Sequence, residues 1–482
     1  MTETLKEKTA RGLLWGGLNN GFMQLIGLAF GIAMGRLLEP EHFGLVAMIV
    51  VFQTVANALQ NSGFSTALIN EKKQKDSNYN AVFWFNILMG LGIYALLFLC
   101  APLIARYYHE PRLVWLSRYA FLSFVFASFG SAQAAFLYKN LRAKQLAKAN
   151  IFAVLLSSGI AVLMACLGCT YWAIASQSNL FILLSTLLRW HYSEWRPTAP
   201  WHGVDFSYIR RAFPFSVKIM LSEMATQVNN NVMNILLGRY FGSTSTGQYN
   251  QASQWNFKGY SLVQNMVKQV DQAVLVSLSD ERERQLAVLR KMIRFAAFIS
   301  FPLMFGIGLV AREFIVLALG EVWLTSAGFL QIVCLAGAVL PVSTLLADLI
   351  VSRGRSDIYL WSTLILGVAQ VVTLVLLHPF GIRHMVIAYV VLTLVWLFVW
   401  HFFVCRFTGY GLFMFLKDVV PFAVIAAAVM LLTGYATHAI TNLWLLLIVR
   451  IVMAATLYYI IMWLTGAAIL RECIAFVRRK HA

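Results

Sequence analysis

Charge is scarce in this sequence, and acidic charge scarcest. Of 482 residues only 12% are charged, and 20 Asp and Glu stand against 38 Lys and Arg. Soluble domains carry about 25% charged residues, so a soluble globular chain is excluded. Long polar stretches are also missing, which leaves no room for an extramembrane domain large enough to house its own active site. No GxxxxGK[ST] loop occurs, so nothing points to nucleotide hydrolysis as the energy source. The six cysteines, Cys100, Cys166, Cys169, Cys334, Cys405 and Cys473, lie mostly in or beside apolar runs. Cys166 and Cys169 form a CxxC with no second Cys or His pair, so they read as small packing residues and no metal or cofactor is expected.

Hydrophobicity fills the space that charge leaves. The chain is 60% hydrophobic with mean hydropathy +0.71, and apolar runs of about 20 residues recur throughout. Fourteen spans are predicted, near 12–34, 43–69, 81–105, 113–136, 146–168, 170–190, 212–237, 247–278, 290–311, 327–351, 358–378, 382–405, 416–437 and 442–468. The first follows Lys6, Lys8 and Arg11 and is too long for a signal-peptide core, so it reads as a retained span. With the N-terminus inside, 27 of the 38 Lys and Arg fall in cytoplasmic segments, six in outer segments and five within spans. That bias supports an even number of spans with both termini in the cytoplasm. It also accounts for most of the net charge of +18, so nucleic-acid binding is not needed.

The polar residues inside the spans are ordered. Gln251, Gln254, Lys258, Ser261, Asn265, Lys268 and Gln272 recur at steps of three and four, which places them on one face of the eighth span. Glu223, Gln227, Asn230 and Asn234 do the same on the seventh. More weakly, Asn20, Gln24 and Gly27 share a face of the first span, and Gln53, Asn57 and Gln60 a face of the second. Amides at this depth serve either as interhelical hydrogen-bonding glue or as the lining of a water-filled pathway. Two lysines on one stripe favour the pathway.

Spans one and two also resemble spans seven and eight. Gly35-Arg36 followed by Gly44 and Gly238-Arg239 followed by Gly247 are related by an offset of 203 residues, which also brings Gln24 onto Gln227. The two copies lie six spans apart in the order of the chain, so they run the same way through the membrane. Parallel repeats of this kind are a transporter architecture with the substrate site between the halves. The expected fold is all-α: a polytopic membrane protein with two six-helix lobes, 1–190 and 212–405. A cytoplasmic linker at 191–211 joins them, and 406–482 supplies two extra helices and a basic tail.

The segments GRLLEPEHFGLVAMIVVFQTV, NSGFSTALINEKKQKDSNYNAVFWFN and NNNVMNILLGRYFGSTSTGQYNQASQ resemble the polysaccharide transporter family of bacterial flippases. That family sits within the multidrug/oligosaccharidyl-lipid/polysaccharide exporter superfamily. The similarity runs over roughly residues 10–360. It implies two lobes forming a V, alternating access, and a polyprenyl-pyrophosphate oligosaccharide moved to the outer leaflet for lipopolysaccharide, capsule or exopolysaccharide. A glycan polymerase and a chain-length regulator are the implied partners. The resemblance further implies cavity cations from spans 1, 2, 7 and 8. Here Lys258 and Lys268 of span 8 and Lys218 of span 7 meet that pattern as pyrophosphate ligands, whereas spans 1 and 2 offer amides.

In this reading Asn20, Gln24, Gln53, Asn57, Gln60, Gln227, Asn230, Asn234, Gln251, Gln254 and Asn265 face the sugars, donating and accepting hydrogen bonds. Glu223 and Asp271 either carry a coupling ion or pair with the lysines. Arg36 and Arg239 mark an outer gate. The rival readings are an organic-cation antiporter of the same superfamily, against which the lysines count, and a membrane glycan polymerase or ligase, which the short outer loops disfavour. His109, His378, His384 and His438 read as interfacial anchors.

Overall fold

The computed structural model describes residues 5–61, 76–140, 142–198, 207–268 and 281–466, together with 275, 277–278 and 469–471. The side chains of 5–14, 18, 61, 207–220 and 222 lie outside that description. Every element is helical among the described residues. Two compact units are formed, Met1–Gly247 and Gln248–Ala482.

The first unit contains α1 (Leu5–Leu37), α2 (Pro40–Asn61), α3 (Asp76–Tyr108), α4 (Leu113–Ala120), α5 (Leu122–Ser128), α6 (Ser131–Lys139), α7 (Ala143–Cys166) and α8 (Thr170–Tyr192). One helical stretch, Ser207–Lys268, then breaks at Gly242, whose φ of 78° and ψ of −175° are accessible essentially to glycine alone. It therefore comprises α9 (207–241) and α10 (243–268), with α9 and the start of α10 in the first unit. The second unit continues with α11 (Arg282–Leu309), α12 (Ala311–Leu319), α13 (Leu324–Ser352), α14 (Ser356–Leu377), α15 (Ile382–Thr408), α16 (Leu412–Ala436) and α17 (Leu443–Leu464).

Among the described residues ten helical segments are long and apolar enough to cross a membrane, and Leu113–Ser128 with Ser131–Lys139, bent by 44°, makes an eleventh when the pair is read as one span. The protein is a multi-pass membrane protein. α1 and α9 have the length for a crossing at 1.5 Å per residue, while their polar positions lower their hydropathy. In the first unit α7 packs on α1 and α8, and α3 packs on α4 and α5. Leu45, Ile49, Leu113, Leu116 and Phe121 form a sealed part of its core. In the second unit α13 is the central helix, flanked by α11 and α15, with Leu330, Val342, Leu345 and Leu349 fully buried. The nine-residue α12 is an element the span pattern does not contain.

A buried carboxylate ties two helices of this unit together. Asp418 on α16, 3% exposed, accepts from Arg290 Nε at 2.7 Å and Nη2 at 3.1 Å and from the Tyr410 hydroxyl at 2.8 Å. Removing one partner of such a pair leaves charge buried without compensation, at a cost of about 3 kcal/mol when one side is partly solvated. Asp418→Asn is expected to lower the melting temperature of the detergent-purified protein by several degrees, read by fluorescence-detected size exclusion after heating. An unchanged melting temperature would show the cluster to be energetically idle.

Candidate functional site

On α10 the apolar face and the polar face are set by the same periodicity. Ala252, Trp255, Gly259, Val263 and Val267, spaced by three and four, turn into the second unit. A Cβ on Gly259 would come within 2.7 Å of Ile307 on α11, so the helices are in close contact there. The stripe read from the sequence occupies the opposite side. Gln254, Asn265 and Lys268 are exposed, and Lys258 is half-buried with its ammonium 4.2 Å from the centre of the Trp255 ring. No carboxylate among the described residues lies within ion-pair distance of either lysine. Gln251 and Ser261 are buried at the edges of the stripe, and the Ser261 hydroxyl donates to the Lys258 carbonyl at 3.3 Å. Gln272 and Asp271 lie outside the described residues, as does the side chain of Lys218.

The other polar faces belong to the first unit. On α9 Glu223 and Asn230 are exposed, Gln227 is half-buried and Asn234 is buried. The Gln227 amide donates to Glu223 at 2.7 Å, which gives that carboxylate a neutral partner. Asn20 and Gln24 are exposed on α1, and Asn57 is exposed on α2. Two amides of α2 are committed to backbone: Gln53 donates to the Ala120 carbonyl at 3.2 Å and Gln60 to that of Phe124 at 2.9 Å. These two act as helix-to-helix glue. α2 and α9 are brought together by Asn231, whose amide reaches the Thr54 hydroxyl at 3.4 Å. Neither Thr54 nor Asn231 falls on the stripes read from the sequence. Thr54 donates to Val51 O one turn back, so its polar role is hidden in a local hydrogen bond.

At one end of the first unit charged residues gather. Arg239, at the end of α9, donates to the Tyr107 carbonyl at 2.5 Å, lies 5.3 Å from the centre of the Tyr107 ring and meets His109 Nε2. His109 takes a positive φ of 55°, uncommon for a side-chain-bearing residue. Arg36 is exposed in the last turn of α1. Beside them Arg112 bridges Glu41 of α2 at 2.5 Å and Glu110 at 2.8 Å. The hydrogen bonds from Arg112 hold the Glu110 carboxyl below its usual range. A carboxylate with a depressed pKa stabilises the fold above the ordinary glutamate value of about 4.3 and loses that contribution as pH falls through the depressed value. Arg112→Gln is thus expected to lower the melting temperature at pH 7, with the gap from the native protein narrowing below pH of about 4. A gap independent of pH would remove the carboxylates from the explanation.

These features define a polytopic helical membrane protein in which four helices carry polar faces and one of them carries two lysines that have no carboxylate partner among the described residues. A profile of the family described as polysaccharide biosynthesis protein matches residues 33–328, well over half of the chain, and the chain belongs to that family. It is 24% identical to the lipopolysaccharide biosynthesis protein WzxC of Escherichia coli strain K12, across 74% of this chain and 72% of that one. It is 24% identical to the succinoglycan biosynthesis transport protein ExoT of Rhizobium meliloti strain 1021, across 100% and 98%. Its fold superposes on a structure titled lipid II flippase MurJ, inward closed conformation, with a TM-score of 0.75 over 96% of this chain and 100% of that chain, at 15% identity.

Proposed function

We propose that this chain is a flippase carrying a polyprenyl-pyrophosphate-linked oligosaccharide repeat unit from the cytoplasmic to the outer leaflet of the bacterial inner membrane. The carrying observation is the α10 face, where Lys258 and Lys268 stand among exposed amides with no carboxylate partner in the described residues. The chemistry of such a substrate has three parts, and the chain offers something to each. The lipid stays in the bilayer. The sugar hydroxyls meet Asn20, Gln24, Asn57, Asn230, Gln254 and Asn265, all exposed. The pyrophosphate meets Lys258 and Lys268, with Lys218 as a third candidate, because an ammonium binds phosphate as a point charge. The family to which the chain belongs, and relatives named for lipopolysaccharide and succinoglycan biosynthesis, support the same substrate class.

In this proposal fourteen crossings place both termini in the cytoplasm, and alternating access moves the substrate with no covalent step. Outward movement of an anion of charge about −2 down an inside-negative potential of about 100 mV releases roughly 4–5 kcal/mol, enough to bias the direction without nucleotide hydrolysis. Glu223 and Asp271 are the groups through which an ion would be coupled, and Arg36 and Arg239 the outer gate. A polymerase and a chain-length regulator would take the product. Native mass spectrometry of protein purified gently from its host should retain a polyprenyl-pyrophosphate glycan whose mass reports the sugars. Retention of organic cations in its place would transfer the protein to the antiporter class.

A further inference from the structure

Three helix ends of the second unit converge on two arginines that form no ion pair among the described residues. Arg282 opens α11, Arg353 caps α13, and residues 408–411 turn α15 into α16. Arg282 Nε donates to the Thr408 carbonyl at 3.2 Å. Its Nη2 lies where a Cβ on Gly409 would come within 3.2 Å, and Gly409 has the positive φ of 76° that favours glycine. Arg353 sends Nε and Nη2 to a single oxygen, Gln285 Oε1, at 3.0 and 2.6 Å. Gln285 is fully buried and anchored in turn, its amide donating to the Leu275 carbonyl at 2.8 Å. Each guanidinium is therefore held by neutral oxygens on one edge and has further N–H donors left over.

Three acids of the surrounding helix ends are engaged with other arginines. Asp418 takes Arg290, with Arg294 at 3.7 Å, Glu281 takes Arg284, and Asp357 takes Arg355. Arg353 feels both burial and the Arg282 charge, which together push its pKa down. Two like charges held together by built hydrogen bonds cost stability unless an anion joins them. Basic pockets at helix ends, level with the lipid headgroups, are suited to phosphate-bearing groups.

We infer that Arg282 and Arg353, positioned by Gln285, Thr408 and Gly409, form an anion site for a phosphoryl group at the bilayer surface, separate from the α10 face. The ligand chemistry is a phosphodiester or phosphate monoester. Its two sources are the headgroup of an anionic bilayer lipid and soluble phosphate. The site does not depend on the transported substrate being a pyrophosphate.

The test is native mass spectrometry of the full-length protein in detergent, titrated separately with phosphatidylglycerol, phosphatidylcholine and inorganic phosphate. Three proteins are compared: native, Arg282→Gln/Arg353→Gln, and Arg282→Lys/Arg353→Lys. The native protein is expected to bind phosphatidylglycerol at least tenfold more tightly than phosphatidylcholine. The glutamine pair should lose that preference, and the lysine pair, which keeps the charge, should keep most of it. Binding of phosphatidylglycerol that millimolar inorganic phosphate competes away would identify the soluble anion as the natural occupant. Equal phosphatidylglycerol binding by the native protein and the glutamine pair overturns the inference. So does equal loss in the lysine and glutamine pairs, because charge would then not be what holds the ligand. An Arg284→Gln/Arg355→Gln protein controls for non-specific charge, since both of those arginines are already paired.

Discussion

Replacing Lys258 and Lys268 together with glutamine is expected to reduce glycan export about a hundredfold or more while leaving the protein in the membrane. The magnitude follows from charge-assisted hydrogen bonds worth about 1.5–3 kcal/mol each and a tenfold change for about every 1.4 kcal/mol. Lys268 is exposed and Lys258 half-buried against Trp255, so neither fills a core cavity whose loss would unfold the chain. Glutamine removes the charge while keeping a polar, hydrogen-bonding end one atom shorter. The arginine pair should retain much of the activity, and a single substitution should fall between. Export is read as surface glycan, and membrane abundance by immunoblot of the same cells. Normal export by the double variant would sink the assignment. If the lysines instead neutralise Glu223 and Asp271, changing those two carboxylates to amides in the double variant should restore export. If they hold pyrophosphate it should not.

Single-sequence reasoning reached the helices more easily than the roles of their side chains, for physical reasons. Spans are written in runs of about 20 residues, a signal that survives any uncertainty about neighbours. Thus 382–405 is found as Ile382–Thr408, and 170–190 as Thr170–Tyr192. What failed to register was short or three-dimensional. The span predicted at 113–136 is three helices with a 44° bend at the break that holds Gly130, which packs so closely on Thr186 of α8 that a Cβ there would lie 2.7 Å from its hydroxyl. The gap expected between 237 and 247 is a single glycine joint at Gly242.

On the polar faces, period alone gives glue and cavity the same pattern. Gln60 and Asn57 belong to one stripe, yet Gln60 is buried on the Phe124 carbonyl and Asn57 is exposed. The partners that decide between the two roles are backbone carbonyls, and a carbonyl leaves no mark in a sequence. The same limit hid the Arg282 and Arg353 pair, which the sequence shows only as two of many basic residues at helix ends.

The 203-residue repeat leads to the second large effect. Gly44 to Ala and Gly247 to Ala are each expected to disrupt folding, and the two together to cost less than their sum. A Cβ on Gly44 would lie 1.7 Å from the Ser243 carbonyl oxygen, and one on Gly247 would lie 1.8 Å from that of Pro40. Gly44 corresponds to Gly247, and Pro40 to Ser243, under the same offset, so the two close approaches are reciprocal. Backbone meets backbone on both sides, and no side chain can swing away to admit a methyl group. Overpacking by one methyl costs about 1–3 kcal/mol in an ordinary core, and here the helices themselves must separate. Once one methyl has forced them apart, the second enters space already opened, which is the coupling a double-mutant cycle detects. Gly27→Ala on α1, where nothing lies within 4 Å of the added Cβ, is the matched control and should be neutral. Melting temperatures of the native protein, the two single variants, the double variant and the control in detergent decide the matter. Additive losses would mean that the two glycines sit in independent contacts.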